Sequence, residues 1–299
     1  MKEPAVSADP TQVLAFETDC HIFDGCGFPA PGLHSFLFKP LVGHGGNGTS
    51  WYFDKTMLLA VLGSIIIVVF FWAAFRKPKL VPGKLQMVAE AGYDFVRRGI
   101  VYETLGKREG EKYVPLVVSL FFFVWMMNLW SIIPLAQFPV TAIISYPIGL
   151  ALIVYVLWVS LTFKRHGFIG AFKNFGGYDK SLGPVLPLAM GIELFSNLLV
   201  RPFTHAVRLF ANMFAGHTLI LLFTIASWYL LNGIGIAYAA VSFVMVLVMT
   251  AFELFIQALQ AYVFVLLTCT FIQGALAEGH GESHPEPARE KQGVLAEAQ

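Results

Sequence analysis

Residues 198–217 read LLVRPFTHAVRLFANMFAGH, an apolar run carrying Arg201, His205, Arg208, Asn212 and His217. With a pKa above about 12, arginine stays charged where burial would strip a proton from lysine or histidine. A permanent charge in such a run is costly unless it has a task. The run belongs to a helical pattern from Leu186 to Leu231, interrupted mainly by Pro187 and Pro202. A second pattern runs from Ile236 to Ala277, beyond the turn Asn232-Gly233-Ile234-Gly235. At about 1.5 Å per residue each stretch approaches 60 Å, roughly twice the hydrocarbon thickness of a bilayer. The usual tilt of about 20° does not absorb that excess. The spacing therefore predicts a long, strongly slanted hairpin that presents a broad face to a partner.

The whole chain fits that setting. It is 57% hydrophobic and 13% charged, with 28 phenylalanines and a mean hydropathy of +0.67, which points to an all-α polytopic membrane protein. Before the hairpin lie three shorter apolar segments, 57–75, 114–133 and 140–163, giving about five membrane helices over a membrane domain of 56–277. The turn Pro134 to Pro139 separates the second span from the third. Residues 84–105 repeat Leu85, Val88, Gly92, Phe95, Val96 and Gly99 at helical intervals, with Glu90, Asp94, Arg97 and Arg98 mostly opposite. That pattern predicts an interfacial amphipathic helix.

Net charge is only +1, but it is segregated. Glu3, Asp9, Glu17, Asp19, Asp24 and Asp54 precede the first span, whereas Arg76, Lys77, Lys79 and Lys84 follow it. The positive-inside bias puts residues 1–55 outside the cytoplasm. The basic, Gly-rich loop from Lys164 to Lys180 then returns the chain to the cytoplasmic side, where a disordered tail, 278–299, also ends. Cys20 and Cys26 flank His21 on the oxidising side and make a disulfide candidate, while Cys269 reads as helix packing. His21 alone completes no metal site, and no cofactor or metal is expected.

Two polar stripes carry the chemistry. Arg201, His205, Arg208 and Asn212 share one face of the first long helix, and Glu253, Gln257 and Gln260 share one face of the second. Counting from the turn puts Arg208 level with Gln260, and His217 level with Glu253. The bland alternatives stay open: intramembrane polar groups often only join helices, Arg201 near a helix end can snorkel, and His217 with Glu253 can be a static pair.

These residues resemble a family. Arg208-Leu-Phe-Ala-Asn212-Met-Phe-Ala-Gly216-His217, with Glu253, the run Leu259-Gln260-Ala261-Tyr262-Val263-Phe264 and the stretch Met127-Asn128-Leu129, is similar to subunit a of the rotary F-type ATP synthase over roughly 55–280. The resemblance implies a plasma-membrane stator that passes protons to and from carboxylates on a ring of c subunits. Arg208 would bar a short circuit, Asn212 and Gln260 would lie beside it, and His217 and Glu253 would line the outer half-channel. Some relatives carry that acid and histidine in exchanged positions. Others have an aspartate where Ser131 stands. Glu193 resembles the family's acid near the cytoplasmic exit, though one residue out of register with Pro202. The implied partners are the c ring, the b-subunit peripheral stalk, other synthase subunits, lipid and the transported proton, with no nucleic acid.

A self-contained secondary transporter is the rival, with Arg208 binding an anionic substrate or serving as counter-ion to Glu253. Such folds commonly carry internal repeats and helices broken at matching places, and neither is visible. There is no Walker A sequence and no nucleophile triad, so any ATP chemistry belongs to other subunits.

Overall fold

The computed structural model describes residues 55–76, 82–133, 136–177, 186–231 and 235–276. The expectations for the N-terminal segment, the Cys20 and Cys26 pair, the 232–234 turn and the C-terminal tail fall outside those residues. Every regular element described is helical. In chain order these are α1 (Lys55–Phe75), α2 (Lys84–Val96), a π turn (Arg97–Tyr102), α3 (Glu103–Gly110), α4 (Val114–Leu129) and a 3-10 turn (Val140–Ala142). There follow α5 (Ser145–Phe175), α6 (Leu186–Phe195), a second π turn (Ser196–Val200), α7 (Arg201–Tyr229) and α8 (Ile236–Leu276). Four stretches are long and apolar enough to cross a membrane, namely 55–75, 145–175, 186–229 and 236–276, and α4 is a shorter apolar helix of 16 residues.

The helix from Leu186 to Tyr229 runs unbroken for 44 residues. Pro202 has no N–H to donate and its ring crowds the carbonyl one turn back. The chain widens there into the π turn Ser196–Val200 and passes on without stopping. A proline expected to interrupt the pattern instead re-phases it.

The third span differs more from its expected form. Val140–Ala142 is a 3-10 turn, held to α4 by a hydrogen bond from the Thr141 hydroxyl to Asn128 Oδ1, and α5 begins only at Ser145. It then continues through the basic segment read as a loop, bending at Gly167, whose φ of 66° suits a residue without Cβ. Ala171 and Phe175 of the second arm pack with Trp158 and with Ala275 of α8, and residues on both sides of the bend reach the end of α8. His166 Nε2 lies 3.1 Å from the carbonyl of Ala275, and Asn174 Nδ2 donates to Gly274 O at 3.3 Å. Both satisfy carbonyls that the end of α8 leaves open.

The segment after α1 is helical to Gly110, beyond the expected 105. Its buried side is Ala89, Val96, Ile100 and Val101, whereas Leu85, Val88 and Phe95 of the expected apolar face are exposed. Leu85, Val88 and Phe95 share an outward apolar face of α2, the kind of face a helix lays in a lipid interface. The central core joins these side chains to Val117, Phe121 and Val124 of α4, Leu150 and Val154 of α5, Leu209 of α7, and Phe264 and Val265 of α8. Leu209 is fully buried and Arg208 is exposed, so the arginine points away from the chain's own core.

Candidate ion-pathway site

The most extensive helix pairing is α7 with α8. Its register is fixed at four levels. Ser227 Oγ donates to Ala239 O at 3.3 Å, Gly216 lies against the Glu253 side chain, Asn212 Nδ2 donates to Gln260 Oε1 at 2.7 Å, and the His205 ring stacks on Phe264 at 4.1 Å. The hairpin therefore brings the two polar stripes into one interface, as the residue spacing predicts.

On one side of Arg208, toward the inter-helix turn, lies a buried polar file. Glu253 is 2% exposed and Gln257 fully buried. Gln257 Nε2 donates to Ser131 Oγ at 2.6 Å and reaches Glu253 Oε1 at 3.5 Å. Ser131 also adjoins the Glu253 carboxylate. Glu253 Oε2 and Gln257 Oε1 have no hydrogen-bond partner among the described residues. Open lone pairs on a buried acid and amide are sites for water or for a proton in transit. His217, also buried, packs edge-on to Phe138 at 5.6 Å. A side chain at position 216 would start 3.6 Å from Glu253 Cγ, so the glycine leaves the acid its space. Asn128, fully buried, holds Thr141 and so pins the 139–142 turn against α7.

On the other side, toward the start of α7, Arg201 and Arg208 line an open groove of about 440 Å³ with Thr204, His205 and Thr270. Arg208 has no acidic partner among the described residues. Ion pairs among them include Arg97 with Glu111, Arg98 with Asp94, and Lys112 with Glu109, all in or just after the helix that follows α1. An Arg208–Glu253 counter-ion pair is therefore absent there. Glu193 stands on exposed α6, its carboxylate pressed against Gly177, which has a φ of 54° and no room for a Cβ. At about 1.5 Å per residue it lies some 22 Å along the helix from Arg208. Among the described residues, no group of three or more His, Cys, Asp or Glu is placed to hold a metal.

The sequence marks Glu253, Gln260, Asn212 and His217; the hairpin brings the first three into its interface, and His217 is buried beside Phe138. The link from Gln257 to Ser131 was out of the sequence's reach, because 126 residues separate them and only the fold of α4 against α8 joins them. His205 was visible as a member of the stripe, without a reason to single it out.

A buried file of polar groups beside an exposed arginine, carried on helices long and apolar enough to cross a membrane, defines the class as an all-α polytopic membrane protein. The comparisons with known proteins give it a family. The family model described as ATP synthase A chain matches residues 56–273. The chain is 83% identical over 276 residues to the ATP synthase subunit a of Streptomyces lividans, covering 92% of this chain and 98% of that one. It is 40% identical over 268 residues to the subunit a of a Nocardioides species (86% and 96% covered) and 44% identical over 265 residues to that of an Arthrobacter species (87% and 97% covered). The chain belongs to the ATP synthase A chain family. The general function of that family is the stator proton channel of the F-type synthase, a multi-pass membrane subunit that works with other synthase subunits.

Proposed function

We propose that the face of α7 and α8 bearing Arg208 meets a ring of c subunits, and that the polar groups on its two sides are two offset half-channels. Arg208 carries this reading. It is exposed, it lacks an acidic partner among the described residues, and it stands between the Glu253 file and the open groove. A ring carboxylate arriving within about 4–6 Å of that guanidinium is favoured in its ionised form. It accepts a proton only after moving off, so protons cross solely by riding the ring.

Glu253 and His217 line the outer half-channel, with Gln257 and Ser131 orienting the acid. Asn212 and Gln260 hold the two helices together beside Arg208. Glu193 stands near the cytoplasmic exit. Its one-residue offset from Pro202 is supported by the π turn between them, since a π turn takes up an additional residue. Asn128 keeps the 139–142 turn in place at the outer mouth. The excess of Lys and Arg after α1 supports an extracytoplasmic N-terminus and a cytoplasmic C-terminus. The b-subunit stalk then holds this chain against the torque of the ring.

Each proton delivers about 2.3 kcal/mol per 100 mV of membrane potential, so rotation against a load requires that leakage be rare. Lysine in place of Arg208 is able to lose its charge when desolvated. In membrane vesicles carrying the whole synthase, Arg208→Lys is expected to abolish proton-driven ATP synthesis. Synthesis retained at the wild-type rate would overturn the reading.

A further inference from the structure

Toward the start of α7 from Arg208, His205 is an imidazole that the half-channel assignment above leaves without a role. It is 3% exposed, sandwiched between Phe264 at 4.1 Å and Phe271 at 5.7 Å. Its Nε2 is buried with no hydrogen-bond partner among the described residues. The ring is shared by two spaces. One is the open groove that Arg208 also lines. The other is a void of about 10 Å³ enclosed by Val154, Tyr155, Trp158 and Arg201. That space is small and mainly apolar, so the open groove is the one that suits water.

We infer that His205 is a proton-transfer residue of the pathway on the α7 N-terminal side of Arg208, passing protons between the ring carboxylate and water in the groove. The inference rests on the half-channel reading of Arg208. A histidine used only for packing would present a hydrocarbon edge or a satisfied nitrogen, since a buried polar atom without a partner is costly. This one keeps a nitrogen unpaired on a ring that lines the groove shared with Arg208.

Arg201 and Arg208 flank His205 on its own helix. Tyr155 faces it from α5. On α8 the Cys269 thiol is turned to Thr104. Among the described residues no acidic side chain pairs with His205, and the transfer begins from the neutral ring. In the transfer, the O–H of a ring carboxylic acid breaks as an N–H forms on the His205 imidazole, leaving a carboxylate and an imidazolium. That N–H then breaks as the proton passes to groove water, restoring the neutral ring. Repulsion from the two arginines hastens the release. Under ATP-driven pumping the same steps run backward.

The test uses the intact synthase in inverted membrane vesicles, with His205→Phe and His205→Gln, following ATP-driven proton uptake and ATP synthesis across pH. Loss of a positioned proton-transfer group costs about 100-fold at the low end of such effects. His205→Phe, which keeps a planar ring, is expected to fall by that order and to recover in part when free imidazole is added. His205→Gln is expected to fall comparably and to lose the pH dependence of the wild type. Wild-type rates and pH profile in both variants would overturn the proposal. So would a loss in His205→Phe that His205→Gln restores and imidazole does not, because that pattern belongs to a packing role. Proton-driven synthesis retained in Arg208→Ala would instead overturn the half-channel reading itself, whatever His205 does.

Discussion

Asn212 donates from Nδ2 to Gln260 Oε1 at 2.7 Å, joining the two long helices one turn along α7 from Arg208. The bond fixes the height of one polar stripe against the other. Asn212 is exposed while Gln260 is only 4% exposed, so the pair sits at the rim of the interface, with its acceptor inside.

Removing that bond is expected to loosen the hairpin by little. Inter-helix hydrogen bonds in membranes contribute about 0.6 kcal/mol on average. A double-mutant cycle with Asn212→Ala and Gln260→Ala, read by unfolding of the purified synthase's membrane sector, should return a coupling of about that size. A coupling near zero would show that the two side chains act independently.

Gly216 sets the space available to Glu253. A Cβ at that position meets Glu253 Cγ at 3.6 Å and Cδ at 3.7 Å, which is ordinary contact. Gly216→Ala is therefore expected to pump nearly normally. Gly216→Leu must displace the carboxylate, and a misplacement of about 1 Å is able to cost on the order of 100-fold. Initial rates of ATP-driven proton uptake would separate the two variants, and equal rates would contradict this placement of Glu253.

Ser131 is expected to act through Gln257. Ser131→Ala removes the acceptor at 2.6 Å and leaves the Gln257 amide with Glu253 at 3.5 Å alone. A buried donor left short of a partner costs about 1–3 kcal/mol. Proton uptake should fall several-fold, whereas Ser131→Asp, which still accepts from Gln257, should keep most of it. The reverse order would remove Ser131 from the pathway.

Glu111 gives a pH prediction outside the membrane spans. A hydrogen bond from the Tyr102 hydroxyl holds its carboxyl below the usual range, and the nearby Arg97, bonded to it at 2.6 Å, acts in the same direction. A group depressed in the folded state contributes stability that is present above its unfolded pKa of about 4.3 and lost as pH falls through the folded value. Acid should therefore destabilise the wild type more steeply than Glu111→Gln over that window. Parallel loss of thermal stability in both would contradict the assignment.

Much of this was legible in the sequence, and the misses have physical causes. The hairpin was readable because helical spacing, length and the cost of a charged arginine in lipid all point the same way. The start of α5 was not, because Thr141 is held by Asn128 across a turn, a contact that periodicity does not encode. The helical arm from Phe168 to Phe175 packs on the end of α8, a partner about 100 residues away that periodicity does not encode. The π turn at Ser196–Val200 carries the long helix past Pro202, a change of phase that local periodicity does not announce. Within the site, the charged and titratable residues announced themselves, while Ser131, an ordinary residue in composition, drew its place from the fold.

The central claim is that the Arg208 face meets the c ring. Ala211 and Leu259 are both exposed on that face and belong to neither polar file. Cysteines placed at these positions, paired with a cysteine scan along a c-subunit helix in native membranes, would report the contact by disulfide formation. The account predicts cross-links centred on the ring carboxylate, at helical periodicity, from both positions. Cross-links only between copies of this chain, with none to the ring, would contradict it.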